Sequence, residues 1–464
     1  MPANRDRMIL AAFLHNGGAH PGGWRHPSAT PERLQDLSFY QEIAATAERA
    51  KFHVLVLGDA QGMFHIAGRD AYAGSDGGSR PDPTLILGAL CATTKQIGLV
   101  STVSTTFNEP YAVARRIGTI DHLSRGRAGW NVVTSTNESE ARNFGGDQLM
   151  EHDQRYARAE EFVDVVKTLW DCWEDDAFKY DKKTGRFFDT DKLHALGHVG
   201  KFFKVAGPLN LARAPQGHPV IIQAGASGPG RALAARTADL IFTAQPHMAA
   251  AKKFADEMRE SIAGFGRDPR HVGIIPSIQL LVRSTEAEAK AAEAELLSLI
   301  PPERALSQLQ MLLGGFDLSP FDPNGPLPDL PLSNATQSNQ QKLIEMARTE
   351  SLSIRQLAQR ATVSRASWSM AGTPEQIADA LADWFHCGAA DGFSLAPNYL
   401  PDGLTEFVDH VVPVLQKRGL FRTDYEGETL RDNLGLPRPV NTFVADPSRH
   451  VEPAIWAKPT RQAK

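Results

Sequence analysis

The stretch GWNVVTSTNESEARNFGG at 129–146 carries an amide inside an apolar run and a cluster of hydroxyls behind it. Trp130, Val132 and Val133 are strand formers, but Asn131 interrupts them, and Thr134, Ser135, Thr136 and Asn137 follow as a block. A buried amide needs hydrogen-bond partners, and a polar ligand at the strand tip can supply them. A second place of this kind is QAGASGPGRALAARTAD at 223–239, where an apolar strand enters a Gly/Ser turn and then a helix. Backbone N–H groups at such a helix start hold anions, phosphate in particular. Gly225, Gly228 and Gly230 permit close approach, and Ser227 adds a hydroxyl. The order is GxxGxG, not the dinucleotide fingerprint GxGxxG, and no acid ends the next strand to take a ribose. His152 and Tyr156 are four apart at the start of a helical pattern, so they share a face and can both reach an anion; spacing alone equally describes an exposed capping turn.

Other chemistry finds no residues to carry it. There is no HExxH, and His194 and His198 lack a matching carboxylate pattern, so no metal site is read. A GxSxG elbow is missing, and Cys91, Cys172 and Cys387 stand in no nucleophile context. No catalytic acid, base or nucleophile is assigned from sequence. A cofactor that brings its own chemistry is the inference.

These residues need elements to position them. Apolar runs at 8–14, 52–59, 97–106, 127–135, 219–225, 239–245, 272–282 and 391–397 read as strands. Helical patterns alternate with them at 38–50, 82–94, 110–124, 152–173, 231–238, 249–266, 286–300, 373–388 and 404–418. The strands are apolar almost throughout, as strands buried on both faces are. Eight such units predict a (β/α)8 TIM barrel, with insertions near 60–81, 136–151, 174–218 and 315–350 in a single 1–464 unit and a surface tail over 420–464. The strands end in Asp59, in Ser104 to Thr106, in Thr134 and Ser135, in Gln223, Gly225 and Ser227, and in Thr243 and Gln245. Each group alone could cap a helix or close a turn. Together they outline the mouth at the C-terminal end of a barrel, where such folds place their sites.

A formal net charge of −5 on 464 residues, with no basic stripe, gives no footprint for nucleic acid. Three scattered cysteines fit free thiols in a reducing compartment. The N-terminal apolar run is too short to span a membrane and lacks a cleavage region, so a cytoplasmic protein is expected.

The motifs RAGWNVVTSTNESEARNFG, HDQRYARAEEFVDVVKTLWDCWEDDA, HVGKFFKVAGPLN, PVIIQAGAS and GTPEQIADALADWF occur in that order, with HPGGWRHP and STVSTTFNEPYAVARR before them. Over about 8–420 the chain resembles the flavin-dependent monooxygenases of the nitrilotriacetate, pristinamycin and dibenzothiophene-sulfone type, within the bacterial luciferase-like superfamily. The text HCGAADGF at 386–393 and the Pro-rich segment around 320–335 depart from that pattern. The resemblance implies reduced FMN as cofactor, O2 as cosubstrate through a C4a-(hydro)peroxyflavin, and a separate NAD(P)H:FMN reductase as partner. A small organic substrate bearing sulfur or nitrogen and a homo-oligomer, dimer or tetramer, are implied too. Carried over residue by residue, the FMN contacts are Asp59, Thr105, Asn131, His152, Tyr156, Gly225 and Ser227. Asp59 and Asn131 lie by the ring, and Tyr156 and Ser227 with the 225–230 turn lie on the phosphate. His20, Trp24 and Arg25, on the loop after the first strand, are the substrate-side candidates, Arg25 for an anionic group. Phe13, Trp24, Phe107, Trp130, Phe144 and Phe203 are candidate dry walls, and 174–218 and 315–350 candidate lids. A deazaflavin-dependent oxidoreductase of the same superfamily, or a flavin-binding protein without catalysis, are the alternatives, separated by the absorbance and redox behaviour of the bound cofactor.

Overall fold

Ile9 in the first strand pairs in parallel with Gly392 in the last, and this register closes the sheet. The computed structural model describes residues 5–63, 69–225, 227–330, 337–363, 367–453 and 456. Its eight barrel strands are β1 (Ile9–Leu14), β2 (Val54–Leu57), β3 (Gly98–Ser104), β4 (Ala128–Val133), β5 (Val220–Gln223), β6 (Leu240–Thr243), β7 (Gly273–Val282) and β8 (Gly392–Leu395). All pair in parallel around the ring, with β6 on β7 and β8 on β1 as the closing contacts. Helices cover the outside, among them Leu37–Arg49, Pro110–Leu123, His152–Trp170 and Met248–Gly264. The architecture is the expected (β/α)8 barrel.

Alternation along the strands decides what faces the barrel axis. Ile9 and Ala11 meet Val54, Val56, Val100, Val220 and Ile222 inside. Leu10, Ala12 and Leu14 point outward onto the helices. On β4, Trp130 and Val132 join the outer core, with the Trp130 ring 5.7 Å from Phe162 of the helix His152–Trp170. Asn131, between them, therefore points inward, and its register partner on β3 is Thr102. Trp130 and Phe203, expected as cavity walls, are core instead, because both pack on Phe162.

The structure revises the periphery in three ways. The segment 315–350 belongs to a larger helical excursion with Pro302–Leu312, Gln337–Thr349 and Ile354–Val363, built around Ile300, Leu309, Leu343, Ile354 and Leu357. A ninth strand, Trp368–Gly372, pairs with the far half of β7 outside the ring. Over 430–436 the tail is not a surface wrap. Leu430, Leu434 and Leu436 are buried against the inward residues of the barrel and close the end where the strands begin. Arg422 reinforces this, donating to the Lys51 and Phe52 carbonyls just before β2. Among the described residues no helix is long and apolar enough to cross a membrane.

Candidate active site

Two cavities open at the end where the strands finish. One, about 240 Å³, is bounded by Asp59, Thr102, Ser104, Thr134, Tyr156 and Gln223 among others. Its neighbour, about 340 Å³, is bounded by Gly77, Gly78, Arg80, Asp82 and Asn143. Asp59, Ala60 and Gln61 belong to both. The loop 60–63 that separates them is stitched to the helix Glu138–Asn143. Glu140 accepts from the Gln61 N–H at 2.7 Å, Asn137 donates to the Gly62 and Met63 carbonyls, and Asn143 donates to the Gln61 carbonyl.

Asn131 is buried beside the first cavity. Its Nδ2 donates to Thr102 Oγ1 at 2.9 Å, while its Oδ1 has no partner. A buried carbonyl oxygen without a donor costs about 1–3 kcal/mol, so Asn131 Oδ1 is an acceptor with unused capacity. Above it Ser135 sits at φ 52°, a left-handed conformation rare for a non-glycine. The Arg155 guanidinium donates to the Ser135 carbonyl, and Ser135 Oγ lies 2.8 Å from Ser104 Oγ, so the strained tip of β4 is held from both sides.

The anion cup forms where β5 meets the helix Gly228–Thr237. Ser227 caps that helix by accepting from the Gly230 N–H at 3.3 Å. A side chain on Gly230 would stand 2.9 Å from the Tyr156 hydroxyl and 3.1 Å from Ser227 Oγ, so both hydroxyls gather at one helix N-terminus. Gly225 and Gly230 are needed for each other. A Cβ on Gly225 would fall 2.5 Å from the Gly230 carbonyl. Gly228 faces open space.

The other expected contacts divide. His152 is exposed at the start of its helix, 4.9 Å from the Tyr156 ring and bonded to Asp153 at 2.9 Å. Thr105 is turned away: its hydroxyl donates to the Val133 carbonyl at 3.2 Å, and the inward hydroxyls of β3 are Thr102 and Ser104. Arg25 is exposed and donates to the Leu299 carbonyl at 2.7 Å, outside both cavities. His20 is buried against Gln279 and Leu281, with its Nδ1 accepting from Gly22 N. Trp24 is half-buried and lines neither cavity. Residues 174–218 contact Glu161, Asp171 and the tail rather than the mouth, so they are no lid. The helical excursion does reach it: Arg304 donates to the Pro21 carbonyl and lies 3.9 Å from Asp76. Sequence reading missed Thr102, Gln61, Glu140 and Arg80, which lie mid-strand, on loops or, for Glu140, on a helix of six residues too short to show periodicity.

Burial raises the Asp59 carboxyl to about 6, against the pull of Arg80. Unfolded, the same group titrates near 3.8. Between these values the folded chain binds more protons, so this group makes stability fall as pH rises through that window, with no further change above it. Buried His53 and His218, whose pKa values are lowered chiefly by burial, act in the opposite sense. The difference between variants isolates Asp59. Stability of Asp59→Asn relative to the parent is expected to rise by about 1–2 kcal/mol, discounted for partial exposure, and then level off. Urea unfolding of both proteins across that range measures it, and a flat difference would refute the assignment.

Residues 12–391 match the model of a family described as luciferase-like monooxygenase. The chain belongs to that family. The nitrilotriacetate monooxygenase component A of Aminobacter aminovorans is 48% identical to it, over 97% of this chain and 100% of the relative. The N-acetyl-S-(2-succino)cysteine monooxygenase of Bacillus subtilis is 47% identical, over 96% and 100%. The crystal structure of DmoA from Hyphomicrobium sulfonivorans superposes with a TM-score of 0.85 at 32% identity, over 98% of this chain and all of that one. This luciferase-like protein is therefore a monooxygenase, an oxidoreductase. The cavities described above lie at the same end of the barrel as its polar strand tips. Residues of that end fit a flavin phosphate and ring: the Tyr156 and Ser227 hydroxyls with the glycine turn beside the cavity on one side, the Asp59 carboxyl on its wall and the unpartnered Asn131 Oδ1 behind that wall on the other.

Proposed function

We propose that this monooxygenase binds reduced FMN in the cavity bounded by Asp59, Thr102 and Tyr156, takes O2 as cosubstrate, and receives its flavin from a separate NAD(P)H:FMN reductase. The observation that carries the reading is the buried, unpartnered Asn131 Oδ1 on the inward face of β4, held by Thr102 of the cavity wall, at the strand-end face of the barrel where the Ser227 and Tyr156 hydroxyls gather. The ring of reduced FMN offers N–H donors for Asn131 and Asp59, and its phosphate offers acceptors for the helix start at Gly228. The name "component A" on a relative of nearly equal length supports a second component. Bound there, reduced flavin supplies two electrons, so that one oxygen atom of O2 enters the substrate and the other leaves as water.

The protein's own residues do the rest. Ser227, Tyr156 and the turn from Gly225 hold the anionic end, with the helix dipole favouring negative charge there. Thr102 holds Asn131 through its amide nitrogen, which fixes the Oδ1 toward an incoming donor. The stitched 60–63 loop shields the ring end from bulk water, which keeps reactive intermediates from being hydrolysed. Asp59, with a pKa near 6, can hold or release a proton at its carboxyl close to neutral pH. The substrate is a small organic molecule bearing sulfur or nitrogen.

Anaerobic titration with reduced FMN, followed by rapid mixing with oxygenated buffer, tests this. Preference for reduced over oxidised FMN, with reoxidation slowed relative to free flavin, is the expected result. Equal affinity for both redox states, or a preference for a reduced deazaflavin, would remove it.

A further inference from the structure

The second cavity has a charged wall that the flavin reading does not use. Arg80 lies on it, half-buried. Its Nε donates to Asn16 Oδ1 at 3.1 Å. Asn16 is itself fixed, donating to the Asp76 carbonyl at 2.8 Å and the Ser79 carbonyl at 3.0 Å. The guanidinium is thus oriented from behind, and among the described residues its two terminal nitrogens make no hydrogen bond and no ion pair.

Three of the acids around it are engaged elsewhere. Asp82 caps the helix Pro83–Leu90, accepting from Thr84 N at 2.8 Å and Thr84 Oγ1 at 2.6 Å. Asp76 Oδ2 accepts from Gly17 N at 3.0 Å. Glu140 is taken by Gln61 N. Asp59 stands between the two cavities, its carboxyl raised to about 6 by burial, and lies beyond ion-pair distance of Arg80. Among the described residues, the chamber therefore holds one oriented cation whose fork is open, next to the cavity assigned to the flavin ring. A planar guanidinium held by its Nε presents both terminal N–H groups side by side, the geometry that takes a carboxylate in two hydrogen bonds. A volume of about 340 Å³ suits a small molecule.

We propose that Arg80 is the specificity-determining residue for substrate: it anchors a carboxylate of an anionic substrate in the chamber bounded by Gln61, Gly77, Gly78 and Asn143, and so directs the rest of that molecule past Asp59. The assignment rests on the flavin occupying the neighbouring cavity. It moves the anion-binding role from Arg25, whose guanidinium is spent on Leu299, to Arg80.

The test is equilibrium binding of four carboxylates (nitrilotriacetate, citrate, succinate and benzoate) and of succinamide to the anaerobic protein carrying reduced FMN. Wild type, Arg80→Gln and Arg80→Lys are compared, with reduced-FMN affinity read in the same samples. At least one carboxylate is expected to bind wild type while succinamide does not. Arg80→Gln should weaken that binding by about 10- to 100-fold, as the loss of a charge-assisted pair of hydrogen bonds does. Arg80→Lys, which keeps the charge and loses the fork, should recover part of it. Failure of all four carboxylates to bind overturns the proposal, and so does equal binding by Arg80→Gln. Carboxylate binding that depends on Arg80 in a protein that takes up no reduced flavin would sink the flavin reading and leave the anion site standing.

Discussion

Gly225→Ala is expected to lower the affinity for reduced FMN by about 100- to 1000-fold while leaving the protein folded. The added methyl would stand 2.5 Å from both the carbonyl carbon and the oxygen of Gly230, and 2.9 Å from its Cα. All three are backbone atoms, so relief requires the turn itself to open. Opening it moves the Gly230 N–H away from Ser227 and the helix start away from the Tyr156 hydroxyl. Hydrogen bonds to a charged group contribute about 1.5–3 kcal/mol each, and losing two of them at the lower end of that range, about 3–4 kcal/mol together, gives the stated factor. The control lies three residues away. A Cβ on Gly228 meets nothing within 4 Å, so Gly228→Ala should bind reduced FMN as the parent does. Titration of both variants under anaerobic conditions decides the matter. Parental affinity in Gly225→Ala would mean that the phosphate is held elsewhere.

The barrel was legible because fully buried parallel strands have little choice of composition. Runs such as VLVL at 54–57 and VIIQ at 220–223 carry apolar residues on both faces, and eight of them left few alternatives. The mouth was legible for the converse reason: Asp59, Ser104, Thr134, Ser135 and Gln223 are polar groups that no covered strand carries without a use. Choosing between Thr105 and Thr102 was harder. In GLVSTVSTT both parities end in hydroxyls, and only the closed barrel fixes which set faces inward. Arg25 and Arg80 are alike as sequence, both on Gly-rich loops. Their difference is a carbonyl at Leu299, contributed from 274 residues away. The strand Trp368–Gly372 pairs at the rim and is only partly buried, so it lacks the continuous apolar signal of its neighbours. The excursion from 302 to 363 misled because its Pro-rich middle hides two amphipathic helices that pack mainly on each other. The tail misled through its charge: Arg431 looks like a surface residue until its partners are known.

Arg431→Ala is expected to destabilise the protein by about 3–5 kcal/mol without changing the flavin site. Its guanidinium grips Asp239 twice, at 2.8 and 3.2 Å, and donates through Nε to the His218 carbonyl at 2.8 Å. Both side chains are nearly closed to water. Burial alone would raise the Asp239 carboxyl, but Arg431 and the Ile221 N–H more than offset it and its pKa is lowered. The pairing therefore contributes stability above the usual carboxylate range and loses it as pH falls through the lowered value. Removing one partner of a buried pair leaves the other charged and uncompensated, which sets the magnitude. Asp239 is not left wholly bare, since it still accepts from Ile221 N at 2.9 Å, so the lower end is the better expectation. Leu430 and Leu434 flank Arg431 in the plug, and losing the pair loosens their seat in the barrel floor. The double variant Arg431→Ala/Asp239→Asn should cost less than the sum of the single changes, because the stranded charge is gone. Urea unfolding of the three variants measures this coupling. Reduced-FMN affinity at low temperature should be parental in all three, because the plug lies at the end where the strands begin and the site where they finish. Additive losses would show that Arg431 acts by packing alone, and a matching loss of flavin affinity would show that floor and mouth of the barrel are coupled.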